Sequence, residues 1–471
     1  MWSASNAPTP TTRRADLTAP SSPRERTALE RLLGVVTRVE PGEGVSALLM
    51  TLNVLTLMTA YSAIKPVREG LILAMASGAE YKAYMGAAIA VALLFAVPAY
   101  ARFADRQPRN RLVVGVTAFF AANLVLFWAG SSIESVRSRL GLVYYLWLGV
   151  FNMMVVAQFW AFANDLYREE QGKRLFPLLG VGQTLGAVLG AGLSVWLLAR
   201  VGVFNMLLVG AALLGVTAVL TQIVHVREGR APVPRLASAP GDHGGAFELV
   251  RRSEYLRYVA GFALLFTFVN TNGEYVLGRL VKGAADQAVL AGTLSPGAVK
   301  EWVGDAYSRF YLYTNVATVA LQALVVSRLV RAWGLERAFF VLPVIALVDA
   351  LGAAALPLLA VVFAGKVAEN ATDYSLNNTL RNMLWLPTTR EMKYKAKQAV
   401  DTFFVRMGDV SSALVVFLLG SQLHLGVRAF ALVNVGLVAL WLVLARRIVA
   451  GYRRLSAGES FAPERRSPGS P

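Results

Sequence analysis

Charged side chains set inside apolar runs carry the chemistry of this sequence. Lys65, Arg68 and Glu69 close the first run, and Asp165 closes the fourth. Asn270, Asn272 and Glu274 lie in the seventh, with Arg279 five residues on. Lys366, Glu369, Asp373, Asn377, Asn378 and Arg381 crowd the tenth, and Asp401, Arg406 and Asp409 lie in the eleventh. A charge at the centre of a bilayer costs a few kcal/mol or more, so such groups face a cavity and pair. Arg68 follows Lys65 by three residues, so the two share a face if the helix continues through Pro66. From Glu369, steps of four reach Asp373, Asn377 and Arg381, which predicts one polar stripe facing one way. Cations in such a cavity suit an anionic substrate, and acids suit gating or a counter-ion. The plainer reading is that some of these charges only tie helices together, or snorkel to the interface. Asp165 stands close to a charged turn and can form a gate salt bridge with Lys173 or Arg174. For Asp401 and Lys397 an interfacial pair is favoured.

Other chemistries are poorly supplied. The chain has no cysteine and three histidines, His225, His243 and His424, far apart and at or beyond the ends of apolar segments, so no metal site is suggested. Gly180, Gly182 and Gly186 have the spacing G-x-G-x-x-x-G, one residue longer than a dinucleotide loop, and sit in an apolar helix with no strand before it. No phosphate-cradling G-x-x-x-x-G-K-[ST] occurs. Neither an enzyme nor a bound cofactor is expected, and any transport is driven by gradients or by exchange.

The elements that position these residues follow from composition. Of 471 residues, 56% are hydrophobic and 16% charged, with mean hydropathy +0.51. Soluble domains carry about 25% charged residues. Apolar runs of membrane-spanning length recur, predicting spans at 45–64, 81–100, 112–129, 140–164, 175–198, 203–224, 258–277, 307–326, 338–356, 358–385, 401–419 and 427–444. The net charge of +17 reflects arginines and lysines in the even-numbered connections, as the positive-inside rule requires, rather than nucleic-acid binding. That distribution places both termini in the cytoplasm. No signal peptide is visible, so the first span is expected to act as an uncleaved anchor. The expected layout is all-α: a disordered tail over 1–44 with a short amphipathic helix near 25–39, a six-helix half over 45–224, a cytoplasmic linker over 225–254, a second six-helix half over 255–445 and a basic tail over 446–471. A loop is expected at 281–305. The halves are pseudo-symmetric: Glu80-Tyr81-Lys82 opens span two as Asp305-Ala306-Tyr307 opens span eight, and Ala163-Asn164-Asp165 in span four is echoed by Ala371-Thr372-Asp373 in span ten.

Two motifs add to this. Gly182, Gly186 and Gly190 fall every fourth residue, giving span five a smooth face for close helix approach in lipid. The turn ARFADRQPRNRL, residues 101–112, resembles the G-x-x-x-D-R-x-G-R-R signature of major facilitator transporters, with Ala101 and Pro108 where that signature prefers glycine. Asp105 then caps and pairs across to a neighbouring helix end. In that fold the substrate site lies near mid-membrane between the halves, which rock to give alternating access.

Residues 45–445 resemble the ATP/ADP antiporter (ADP,ATP carrier) family of plastids and intracellular bacteria, most of all its branch in free-living bacteria. The carrying pieces are FWAFANDLYREEQGKRLFPLLGVG, residues 159–182, and DYSLNNTLRNMLWLPTTREMKYKAKQAVD, residues 373–401. The family reads F-W-x-F-A-N, an acid or amide, then K-R-F-Y-P-L-x-G, and later Y-S-L with a downstream K-x-K-A-x-I-D. The resemblance implies nucleotide exchange. It implies roles for Arg68-Glu69, for Asp165 after F-A-N and for Glu274. The family's later cation, in a G-K-x-G-G patch, falls on Asp409, a reversed charge that Arg406 could supply from one turn earlier.

A nucleotide needs several cations, and Lys65, Arg68, Lys366, Arg381 and Arg406 suffice if they converge. Tyr61, Phe159, Trp160 and Tyr374 could stack a base or simply pack. The expected substrate set is therefore Lys65, Arg68, Glu69, Asp165, Glu274, Lys366, Asp373, Arg381 and Arg406, with Asp105, Arg106, Lys173, Arg174 and Asp409 gating or structural. The expected protein is a monomer of the bacterial inner membrane exchanging nucleotides. The alternatives are a proton-coupled facilitator for another organic anion, through Glu274 or Asp373, and a non-transporting scaffold or sensor.

Overall fold

A computed structural model describes residues 26–35, 37–104, 109–228, 245–389 and 391–457, and all regular structure among them is helical. Asp105 and Arg106, most of the linker and both outer tails lie outside the described residues. The N-terminal segment runs α1 (Ala28–Leu33), α2 (Gly44–Leu73), α3 (Gly78–Ala104), α4 (Arg109–Gly130), α5 (Glu134–Arg137), α6 (Leu140–Leu166) and α7 (Glu169–Glu228). The C-terminal segment runs α8 (Ala246–Arg252), α9 (Glu254–Leu290), α10 (Val299–Leu321), α11 (Ser327–Ala338), α12 (Val341–Ala355), α13 (Leu359–Thr372), α14 (Asn378–Met383), α15 (Lys397–Ala399), α16 (Val405–Val415) and α17 (Val427–Ser456).

Eight stretches are long and apolar enough to cross a membrane, making this a multi-pass membrane protein. One of the eight, within α7, is two helices meeting at Gly202. There φ is 80°, a left-handed value that favours a residue without Cβ. Helices α9 and α13, which hold much of the intramembrane polarity, are outside the eight because their asparagines and charges lower the hydropathy. Length and apolarity therefore do not by themselves return the expected twelve.

Several boundaries differ from expectation. Helix α2 passes through Pro66 without breaking. The loop expected at 281–305 is mostly helix: α9 continues to Leu290, supported by the Lys282–Asp286 pair at i,i+4, and α10 starts at Val299. The amphipathic helix near 25–39 shortens to α1, capped reciprocally by Thr27 and Glu30. Residues 37–43 are packed rather than trailing: the Thr37 hydroxyl donates to the Arg174 carbonyl, and Arg174 holds the Glu43 carboxylate at 3.0 Å.

The glycine face behaves as its spacing predicts. A Cβ on Gly182, Gly186 or Gly190 would strike the carbonyl oxygens of Thr51, Leu55 and Thr59, the matching four-residue series on α2. In the C-terminal segment Gly408 on α16 makes the same kind of approach to the Leu264 carbonyl on α9.

Three apolar clusters organise the bundle. One lies within the N-terminal segment, one within the C-terminal segment, and the third is shared, joining Leu73, Ala83 and Ala191 to Val276, Val303 and Phe310. Helix α10 packs on α2 and α7, and α3 packs on α9 and α16. Polar contacts reinforce this seam: Ser194 to Ser308 at 2.8 Å, Tyr84 to Ser421 at 2.6 Å, and Glu80 to Tyr275 at 3.0 Å. These contacts lie toward the end of the bundle where α2 finishes and α3 begins.

Candidate functional site

On the inner side of that seam, between the two segments, lies a cavity of about 340 Å³. Its walls carry the cations Lys65, Arg68, Lys82 and Arg406, the acids Glu274 and Asp409, and the tyrosines Tyr61, Tyr145, Tyr311 and Tyr374. A second cavity of about 360 Å³ adjoins it behind Lys65, lined by Gln183, Thr184, Asn315 and Thr318. Lys65, Tyr61, Tyr311 and Tyr374 belong to both.

The charges are arranged around Lys82, on α3. Its ammonium lies 2.9 Å from Glu69 of α2 and 3.2 Å from Glu274 of α9, and it donates to the Tyr307 hydroxyl at 3.2 Å. Glu69 is fully buried behind the cavity wall, where it also takes Arg68 and the Tyr311 hydroxyl, the latter at 3.1 Å. Glu274 accepts from Asn370 at 3.2 Å. Arg68 stacks on the Tyr145 ring, 4.3 Å from its centroid. Lys65 differs from the other cavity cations: its ammonium sits 3.9 Å from the Tyr311 ring centroid, and among the described residues it has no carboxylate partner. Arg406 pairs with Asp409 at 3.0 Å, and Asp409 also accepts from Thr271 at 2.8 Å.

Among the residues the sequence singled out, Lys65, Arg68, Glu274 and Arg406 meet in the cavity, and Glu69 stands directly behind it. The stripe expected from Glu369 to Arg381 is split. Asn370 and Tyr374 face the cavity, one residue round from Glu369 and Asp373. Lys366 and Glu369 pair at 3.1 Å in the C-terminal segment's interior. Asp373 accepts from Asn377 at 2.7 Å, and Arg381 pairs with Asp401 at 3.3 Å. A wider π turn over Asp373–Asn377 changes the rotation midway along the stripe. Asp165 is exposed at the end of α6 and is not a cavity residue. Its expected partner Arg174 is held by Glu43 and by the Arg38 carbonyl, and Asp165 and Lys173 have contacts of their own. Burial pushes the Glu43 carboxyl up, but the hydrogen bonds from Arg174, the Glu40 backbone and Gln171 prevail and hold it below the usual carboxylate range. Phe159 is buried in the N-terminal core and Trp160 packs edge-on against Phe176, so neither faces the cavity.

Lys82, Tyr311 and Asn370 escaped the sequence reading. Lys82 lies two residues inside a predicted span, where an interfacial lysine is ordinary. Its signal was a cation at the head of an otherwise apolar run, beside the acid-tyrosine pair repeated at Asp305-Ala306-Tyr307.

Comparison with known proteins converges on transporters. Residues 303–452 match the TLC ATP/ADP transporter family. ADP,ATP carrier protein 1 of Chlamydia pneumoniae is 20% identical over 63% of this chain and 64% of its own length. The corresponding protein of Chlamydia trachomatis is 24% identical over 56% and 55%, and ADP,ATP carrier protein 2, chloroplastic, of Arabidopsis thaliana is 23% identical over 66% and 54%. The matches thus span roughly half to under two thirds of these curated relatives. Among solved structures, the nucleoside transporter NupG superposes with TM-score 0.56 at 12% identity over 87% of this chain and 99% of its own. The human organic anion transporter MFSD10 superposes with TM-score 0.54 at 14% identity over 86% and 100%. Sequence and fold therefore agree: the chain is a multi-pass membrane protein of the major facilitator fold, and its residues 303–452 carry the TLC ATP/ADP transporter family match.

Proposed function

We propose that this protein exchanges nucleotides of the ATP/ADP class across the bacterial inner membrane by alternating access, as a monomer with both termini cytoplasmic and with no nucleic-acid partner. Lys65 is the observation that carries the reading. A half-buried cation facing a polar cavity, with an aromatic ring but no carboxylate beside it, leaves its charge available to an anion from outside. Arg68, held by Glu69 and Tyr145, supplies a guanidinium at a set angle for bidentate phosphate contact. Tyr61 and Tyr374 stand at the junction of the two cavities, where a base can stack while its phosphates reach Lys65 and Arg68. The two six-helix halves, 45–224 and 255–445, are the bodies that rock, and the shared apolar cluster closes one end of the cavity in the state described. Glu274 and Glu69 act through Lys82, and Asp165, Asp373 and Arg381 act away from the cavity.

The test is counterflow in proteoliposomes loaded with unlabelled ADP, ATP or no nucleotide and given labelled ATP outside. Uptake confined to loaded vesicles, and lost in Lys65→Ala and Arg68→Ala, is expected. No uptake by folded wild-type protein would refute nucleotide exchange. The Arg406–Asp409 pair, whose acid offsets a cavity cation, would then direct attention to a less highly charged organic anion.

A further inference from the structure

Behind the cavity, inside the C-terminal segment, two carboxyl groups meet. Asp349 of α12 lies against α13 at Gly365, one turn before Glu369 on the same helix face, which brings the two carboxyl groups close enough to act on each other's ionisation. Glu369 is buried, and Asp349 Oδ1 is buried with no donor among the described residues. The site is built into the backbone: any side chain at Gly365 would occupy the space of the Asp349 carboxylate. The fully buried Lys366 lies 3.1 Å from Glu369, and among the described residues no lysine or arginine pairs with Asp349. The second contact of Lys366 leads out, to Asn270 Oδ1 at 2.9 Å, and Asn270 lines the substrate cavity. The residue after Glu369, Asn370, also lines the cavity and binds Glu274. Nothing in the transport reading uses Asp349.

Two ionised carboxylates with one ammonium leave one negative charge uncompensated in a low-dielectric interior, and adjacent carboxylates resist ionising together. The other groups facing the pair do not remove that charge. Glu274 of α9 and Asp373 beyond α13 add to it. The buried tyrosines of α10, Tyr307 and Tyr311, are hydrogen-bonded to Lys82 and Glu69. Helix α17, which also packs on α12, presents no titratable residue among its buried ones.

We propose that the Asp349–Glu369 pair is a proton-binding site linked to the substrate cavity through Lys366 and Asn270. One proton from water forms an O–H bond within the pair, leaving one carboxylate opposite Lys366. When that O–H bond breaks and the proton returns to water, the second carboxylate competes for Lys366 and draws it from Asn270. Proton occupancy is thereby transmitted to the cavity wall. The coupling rests on the transport reading; the proton site does not.

Infrared spectroscopy of the full chain in lipid nanodiscs tests the site. Wild type should show a carboxylic-acid C=O stretch that shifts in D₂O and is lost in both Asp349→Asn and Glu369→Gln, since either variant leaves a single carboxylate for Lys366. A stretch absent from wild type, or retained in both folded variants, overturns the site. For the coupling, ADP counterflow is measured with and without an imposed pH gradient. A several-fold effect of the gradient in wild type, absent in Asp349→Asn while ungraded counterflow persists, supports it. A gradient without effect on wild type, or with equal effect on Asp349→Asn, overturns it. No counterflow with any nucleotide, alongside the infrared signature, overturns nucleotide exchange and supports the proton site alone.

Discussion

Replacing Lys82 with methionine should open the sealed end of the bundle. The ammonium bridges Glu69 of α2 to Glu274 of α9, and all three side chains are largely buried, at 7%, 0% and 19% exposure. Removing one partner from a buried ion pair typically costs 3–5 kcal/mol, because the remaining charge is left uncompensated. Here the lower end applies: Glu69 keeps Arg68 and the Tyr311 hydroxyl, and Glu274 keeps Asn370. Opening that end would admit water to both carboxylates, so the penalty falls on the closed state. A shift of about 3 kcal/mol, at roughly 1.4 kcal/mol per factor of ten, moves the closed-to-open ratio on the order of 100-fold. The chain has no native cysteine, so a single Ser194→Cys probe reports without background. Ser194 is fully buried against Ser308 of the opposite segment. A membrane-impermeant maleimide should label Ser194→Cys slowly, and much faster when Lys82→Met is added. Adding Glu274→Gln, which removes one stranded charge, should restore much of the protection. Equal labelling rates with and without Lys82→Met, in protein of normal monodispersity, would show that this bridge does not hold the segments together.

Further expectations follow from the same geometry. Gly186→Leu should abolish monodisperse folded protein in size-exclusion chromatography, since even a Cβ strikes the Leu55 carbonyl; Thr184→Leu, on an exposed side-chain hydrogen-bonded only within its own helix, should not. Asp409→Asn should strengthen binding of anionic substrate by freeing Arg406, whereas Arg406→Ala should weaken it about ten-fold or more, as expected for one charged hydrogen bond of roughly 1.5–3 kcal/mol; scintillation-proximity binding separates the two. Glu43 has its folded-state carboxyl held below its unfolded value, so its stabilisation is present above the unfolded value and lost as pH falls through the folded one. Thermal unfolding of Glu43→Gln should therefore differ from wild type at neutral pH and converge with it in acid.

Much of this protein is legible along the chain because a bilayer imposes a simple rule. Segments that cross it must be helical and apolar, so membrane helices, small-residue faces and costly buried charges all stand out locally. The fourfold spacing of Gly182, Gly186 and Gly190 foretold a close helix contact, and Lys65 with Arg68 foretold a shared cationic face. What the sequence could not settle was partnership. Whether a buried charge faces a cavity or another charge depends on the rotation of a helix and on which helix stands opposite. One residue of rotation puts Asn370 and Tyr374, rather than Glu369 and Asp373, on the cavity wall, and the π turn at Asp373–Asn377 redirects Arg381 to Asp401. Lys82 drew notice only as part of Glu80-Tyr81-Lys82, because its partners Glu69 and Glu274 lie 13 and 192 residues away in sequence. Asp349, alone in an apolar run, gained meaning only when α13 was laid beside it, with Gly365 leaving room for its carboxylate. Local composition determines which segments enter the membrane, because solvation acts residue by residue. Tertiary packing decides which charges are spent on each other and which, like that of Lys65, face a cavity with no carboxylate beside them among the described residues.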